Sequence, residues 1–145
     1  MKLSTRTRYG VRLMLALARN HGQGSVFLRD VAKAEEISEK YLSQIIIPLR
    51  GAGLVSSSRG VHGGYALARS PAEITLRQIV APLEGDCLVD CVNNPAACPR
   101  VLTCASRDVW TLLGEKISET LNGITLEQLL HRDQDKVERS TSQNI

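Results

Sequence analysis

The run "LVSSSRGVHGGYALA" (54–68) restricts the fold more than any other part of this 145-residue chain. Its ends, 54–58 and 65–68, are short strand candidates, and Gly60, Gly63 and Gly64 fill the space between them. The run therefore reads as one β-hairpin with a mobile tip. Every other periodic segment is helical, so the fold class is mainly α with a single small hairpin.

Three helical segments precede the hairpin. Residues 4–20 carry apolar side chains on most sides, as in a helix buried by its neighbours. Arg8, Arg12 and Arg19 fall within ~40° of one another at 100° per residue and form one cationic stripe. After "HGQGS", residues 28–35 give a short helix, and Ser38 can N-cap "EKYLSQIIIPLRGAG". There Leu42, Ile45 and Leu49 recur at inward spacing, Gly51 and Gly53 mark the end, and Pro48 predicts a kink or an early stop. Three helices followed by a glycine-tipped hairpin is the order of a winged helix-turn-helix, with "EEIS" as the turn.

Beyond the hairpin, "SPAE" reads as a capping box with Pro71 at the first helical position. "TLRQ" is another, starting a helix over 76–83. Trp110, Leu113, Ile117, Leu121 and Ile124 then recur at spacings of three and four, a long helix with a narrow apolar seam suited to pairing with a second copy. "TLEQLL" adds a short capped helix, and the polar residues from Asp133 onward predict disorder. No internal repeat is apparent. The expected organisation is a winged-helix DNA-binding domain (1–84), a cysteine loop (85–105), a dimerisation helix with its capping helix (106–132) and a disordered tail (133–145).

Hydrophobic content of 43% supports a real core, and with aromatics at 3% that core must be aliphatic. The apolar run at 13–18 is far too short to span a bilayer, and "MKLSTRTRYG" lacks the layout of a signal peptide, so a cytoplasmic protein is expected. Charge is unevenly placed. Residues 1–70 hold eleven Lys/Arg against four Asp/Glu, whereas 71–145 hold seven against eleven. A basic first half favours a polyanion, and duplex DNA fits the helix order. On the third helix Ser38, Tyr41 and Gln44 lie opposite the apolar positions, where Gln can pair with adenine and Ser or Tyr can meet base edges or phosphates. Arg59 at the hairpin tip suits a minor groove, and Arg8 suits phosphate. There is no catalytic triad, paired carboxylate or P-loop, so no enzyme is expected.

Every cysteine lies in "CLVDCVNNPAACPRVLTC", spaced C-x3-C-x6-C-x5-C. No C-x2-C pair is present, which argues against a zinc ribbon. Spread thiols on a loop suit an iron–sulfur cluster, with regulatory thiols and a structural disulfide as alternatives. Asp86 and Asp90 should raise the thiol pKa values, and Arg100 and Arg107 should lower them.

The chain resembles the bacterial IscR/NsrR/RirA/CymR family of winged-helix repressors over residues 1 to about 132. "TRYGVRLMLALA", the run from "ISEKYLSQ" to "GGYALA", "ITLRQIV" and the cysteine run into "ITLEQLL" carry the resemblance. It implies a homodimer crossed by the helix beginning near Arg107 and a pseudo-palindromic operator. It further implies DNA contacts at Ser38, Tyr41, Gln44 and Arg59, and tolerance of "IIIP". Cys91, Cys98 and Cys104 fall on the family's three cluster cysteines, implying a 2Fe–2S or 4Fe–4S iron–sulfur cluster, 2Fe–2S preferred. The fourth ligand departs from the pattern. IscR-like members have His where this chain has Arg107, which cannot ligate iron. NsrR-like members take an acid from the partner's first helix, where this chain has Arg8. Cys87 is the nearest substitute. The expected function is a DNA-binding transcription repressor that senses iron–sulfur supply, oxidants or nitric oxide. One alternative is a cluster-free regulator controlled by thiol oxidation or a partner protein, as CymR-like relatives work without a cluster. The other is a small thiol-redox or electron-transfer protein.

Overall fold

The first helix, α1 (Thr5–Arg19), begins where the Ser4 hydroxyl accepts from the Thr7 amide at 3.1 Å. It runs through the centre of the molecule, and Leu13, Met14 and Leu17 are fully enclosed. A computed structural model describes residues 2–144. Around α1 lie α2 (Leu28–Glu35), α3 (Glu39–Gly51) and α4 (Leu76–Glu84), and the same core takes in Ile37 from the α2–α3 turn and Leu54 and Ile74 from the two ends of the α3–α4 connection. The core is aliphatic, as the scarcity of aromatics requires, and Thr7 is its one buried polar side chain among the described residues.

The turn between α2 and α3 is set by Glu36, which adopts a left-handed conformation at φ 54°. Its amide and that of Ile37 both return to the Ala32 carbonyl, closing α2 as a glycine would. Ile37 then turns into the core and Ser38 accepts from the Tyr41 amide at 3.3 Å, starting α3. This is the expected helix-turn-helix. Pro48 does not stop α3, contrary to its backbone chemistry. The helix continues to Gly51 because Ile45, Ile46 and Leu49 are buried on either side of the proline, and the carbonyl deprived of an amide belongs to solvent-exposed Gln44.

The wing is the antiparallel pair β1 (Val55–Ser58) and β2 (Gly64–Leu67), one residue earlier at its second strand than expected. Tyr65 also exchanges both backbone hydrogen bonds with Val26, each at 2.8 Å, so the loop between α1 and α2 anchors the wing. Gly64 makes that approach feasible: its φ is 127°, and a Cβ there would lie 2.5 Å from the Val26 carbonyl oxygen.

"SPAE" forms only a 3-10 turn, Pro71–Glu73, closed by the Glu73 amide to the Ser70 carbonyl, with no cap from the Ser70 side chain. Thr75 and Thr125 do form complete capping boxes with Gln78 and Gln128. These two "ITLxQ" segments also pair with each other, Leu76 N–H to Ile124 at 2.9 Å and Leu126 N–H to Ile74 at 2.8 Å. The bridge brings the chain back after α5 (Asp90–Asn93), a 3-10 turn (Pro95–Ala97) and the long α6 (Ala105–Asn122). From it starts α7 (Leu126–Gln143), which packs on α1.

The tail expected to be disordered continues α7 to Gln143. Asp133 is fixed by Arg19, and Thr141 and Ser142 hydroxyls donate back to the Val137 and Glu138 carbonyls at 3.0 Å, so the polar residues satisfy one another along the helix. Of the residues in that expectation, Ile145 lies outside the described ones.

Candidate nucleic-acid interface and cysteine loop

Burial of Leu42, Ile45, Ile46 and Leu49 fixes which side of α3 faces out. Lys40, Ser43, Gln44, Ile47 and Arg50 form the exposed face, with Ser38 exposed at its start. Ser38 spends an acceptor position on the cap, which leaves its hydroxyl free to donate. Tyr41 does not stand on the crest of that face. It is half-buried at its edge, its ring edge-on to Tyr9 at 5.8 Å. The Arg12 guanidinium lies over Tyr9 at 5.5 Å. The polar pattern had placed Tyr41 beside Gln44, but its side chain is partly buried against the core. Lys40, Ser43 and Arg50 were missed by that pattern, although their helical spacing relative to Gln44 was a sufficient signal.

The cationic stripe on α1 is largely neutralised. Glu35 sits between two of its arginines, 3.0 Å from Arg12 Nε and 2.8 Å from Arg19 Nη1. Arg19 also makes a bidentate pair with Asp133, Nε and Nη2 each 2.9 Å from an oxygen. These pairings, Asp133 foremost, raise the pKa of Arg19 further and hold it as a structural cation. Arg8 donates only to the Thr5 hydroxyl, at 3.2 Å, and remains the exposed cation of the three that no carboxylate engages among the described residues. Arg59 is exposed at the wing tip.

The four thiols are free and half-buried. Cys87 donates to the Val89 carbonyl, Cys91 lies in α5, Cys98 follows the 3-10 turn, and Cys104 is the residue before α6. Among the described residues no three His, Cys, Asp or Glu side chains are gathered as a ligand set. Arg107 instead joins the loop to the long helix: its Nε donates to the Cys91 carbonyl at 3.0 Å and Nη2 to the Val92 carbonyl at 3.2 Å, clamping α5 to α6. At Cys104 the leading influence is a hydroxyl, with the Arg100 charge the smallest contributor and neither aspartate among the causes. The Ser106 hydroxyl 3.1 Å away, followed by the Arg107 backbone amide, holds that thiol below its ordinary range, while Asp86 is engaged by Arg77. The donor chemistry fits an iron–sulfur cluster, since thiolates are the ligands irons take and all four thiols lie outside the core. Holding one requires the loop to fold inward around it.

The family model for Rrf2, described as an iron-dependent transcriptional regulator, matches residues 3–132. The chain belongs to the Rrf2 family. It is 40% identical to the HTH-type transcriptional regulator CymR of Bacillus subtilis over 129 residues, 89% of each chain. The solved structure of CymR, there called the global cysteine regulator of B. subtilis, superposes with a TM-score of 0.75 at 38% identity, covering 91% of this chain and 98% of that one. T. potens IscR gives a TM-score of 0.75 at 38% identity, covering 92% and 88%. The helical body with its two-stranded wing is thus the Rrf2 winged-helix fold, and the protein is a DNA-binding transcription regulator rather than an enzyme. The alternative of a small electron-transfer protein is set aside on the same ground. Among the described residues of this Rrf2 protein no helix is long and apolar enough to cross a membrane.

Proposed function

We propose that this Rrf2 protein is a cytoplasmic homodimeric repressor that binds a pseudo-palindromic duplex operator through α3 and the wing. The outer face of α3 supports this best, because hydrogen-bonding and basic side chains project there from a rigid helix whose opposite face is fully buried. The second helix of a helix-turn-helix lies in the major groove. Gln44 suits the paired donor and acceptor of adenine, and Ser38 and the Tyr41 hydroxyl suit neighbouring base edges or phosphates. Arg8 and Arg59 add backbone or minor-groove contacts. The second copy docks on α6, which has no buried residue and leaves Val109, Trp110, Leu112 and Leu113 exposed.

The cysteine loop is the sensor in this reading. Cys91, Cys98 and Cys104, with Cys87 as fourth ligand, would hold an iron–sulfur cluster that supplies a reversible response to iron–sulfur status, oxidants or nitric oxide. For the thiols to gather, α5 must leave Arg107, and Arg107 must give up the Cys91 and Val92 carbonyls. That clamp also supports a second reading, in which the loop works without a cluster and Cys104, whose thiol the Ser106 hydroxyl holds below its ordinary range, responds to oxidants or to a partner protein.

Anaerobically purified protein, assayed for iron, acid-labile sulfide and zinc with an absorption spectrum, tests the two readings. Charge-transfer bands with matching iron and sulfide, lost in Cys98→Ala, support the cluster. Colourless, iron-free protein whose DNA affinity falls on oxidation supports the second reading. Selection from a random duplex library tests the operator itself, and retention of no preferred sequence would sink the DNA-reading assignment.

A further inference from the structure

We propose that Ile47 is a specificity-determining residue that reads the C5-methyl of thymine. The inference rests on the reading of α3 as the helix that enters the major groove. Ile47 is 66% exposed, the one large apolar side chain left exposed within α1, α2 and α3 among the described residues. It follows Ser43 and Gln44 at i+4 and i+3 and therefore shares their face. Lys40, Ser43, Gln44 and Arg50 around it all carry hydrogen-bonding or charged groups, so the apolar patch is one side chain wide. With Arg50, Ser56 and Ser57 it lines a shallow groove between α3 and the wing, where the guanidinium and hydroxyls suit the phosphates flanking a base.

The chemistry matches one base. In the major groove, thymine is the base that offers a methyl group beside its acceptor, and apolar side chains recognise it. A β-branched side chain on a helix has one dominant rotamer, so Ile47 presents its methyl groups with little freedom left to lose. Gln44, one turn earlier on the same face, is placed for an adenine. Together they favour a site with adenine and thymine at neighbouring positions.

The test uses the full-length protein and the duplex recovered by selection, with each thymine replaced in turn by deoxyuridine, which removes only the methyl. One position per half-site should weaken wild-type binding by about fourfold, the worth of one buried methyl group. In Ile47→Ala that position should lose its sensitivity, while sensitivity elsewhere is kept. Ile47→Ser, which keeps the helix and replaces the apolar tip by a hydroxyl, should behave alike. Circular dichroism on both variants separates a reading defect from unfolding, and the side chain's exposure predicts unchanged spectra. Equal sensitivity to deoxyuridine in wild type and Ile47→Ala, or no sensitive thymine at all, would overturn the proposal while leaving the operator intact. Absence of any preferred duplex overturns the DNA-reading assignment and this inference with it.

Discussion

Removing the Glu84 carboxylate should loosen the start of α1, although the two are separated by eighty residues of chain. Glu84 ends α4 and accepts from the Ser4 amide at 3.1 Å, from the Ser4 hydroxyl at 2.6 Å and from the Thr7 hydroxyl. No acid stands in the first turn of α1, so Glu84 supplies the negative charge there. Thr7 is 1% exposed, so its hydroxyl would lose its charged acceptor with little access to water. Loss of the capping contribution costs about 1 kcal/mol, since Ser4 keeps its own bond to the Thr7 amide. The weakened Thr7 hydroxyl adds about 1 kcal/mol, the low end of its range because Ser4 Oγ remains 3.2 Å away. Glu84→Ala should therefore lose about 2 kcal/mol in urea unfolding at pH 7, with m unchanged, or about 6 °C in melting temperature. The Ser4 hydroxyl first, and then Thr7, hold the Glu84 carboxyl below the usual range. A depressed native pKa contributes stability that is complete above the unfolded value of about 4.3 and is lost as pH falls through the native value. The gap between wild type and variant should thus be flat from pH 6 to 8 and narrow below about pH 4. Glu84 is solvent-exposed, so added salt should trim the gap at neutral pH. A gap below about 0.5 kcal/mol, or one equally wide at pH 3 and pH 7, would refute the capping argument.

Gly64→Ala should destabilise by more than about 2 kcal/mol, because a left-handed backbone and a clash with the Val26 carbonyl combine; chemical unfolding measures it, and a neutral result would mean the wing is not held by Val26. Leu113→Asp places a charge on the uncovered face of α6, and sedimentation equilibrium should show a dimer converted to monomer with unchanged helicity. Arg8→Ala should weaken all duplexes alike and lower the slope of log affinity against log salt by about 1, whereas an unchanged slope would remove Arg8 from the phosphate contacts.

What the chain disclosed in advance follows the range of the forces involved. Ser38, Thr75 and Thr125 were legible because a cap and its partner lie within three residues. The wing was legible because its turn needs glycines. Glu36 was not, since glutamate carries no left-handed preference and is held there by Ile37 reaching the core. The pairing of Val26 with Tyr65 and of "ITLRQ" with "ITLEQ" joins backbone groups forty to fifty residues apart and leaves no local mark. Glu35, sixteen and twenty-three residues from its partners, was likewise hidden, and it turns two arginines of the cationic stripe into surface ion pairs. The half-burial of Tyr41 was not legible, because a phenol is both apolar body and polar tip, and only packing decides how much of each it shows. The cysteines were legible as a cluster of chemistry, but their mutual arrangement depends on Arg107, whose two carbonyl partners no spacing rule predicts.

These long-range links also bear on the proposed sensing role of the loop. Its N-terminal root is tied twice to the reading head, through Glu84 to the start of α1 and through Asp86 to Arg77 on α4. At the far end the "ITLxQ" bridge and the Arg19–Asp133 pair return the chain to α4 and α1. Between these anchors α6 packs chiefly on α4 and α5, and Arg107 joins it to the loop. If the loop is the sensor, the element its rearrangement reaches through Arg107 is α6, whose tilt against α4 would change while the helix-turn-helix keeps its own packed core. If the second copy docks on α6, that tilt sets the separation of two rigid heads, and operator half-sites tolerate only spacings near a helical turn or its multiples. The 1–3 kcal/mol typical of allosteric coupling is about what rearranging the two Arg107 hydrogen bonds can supply. Arg107→Ala should accordingly uncouple DNA affinity from the state of the thiols, while leaving the affinity of one of the two loop states unchanged.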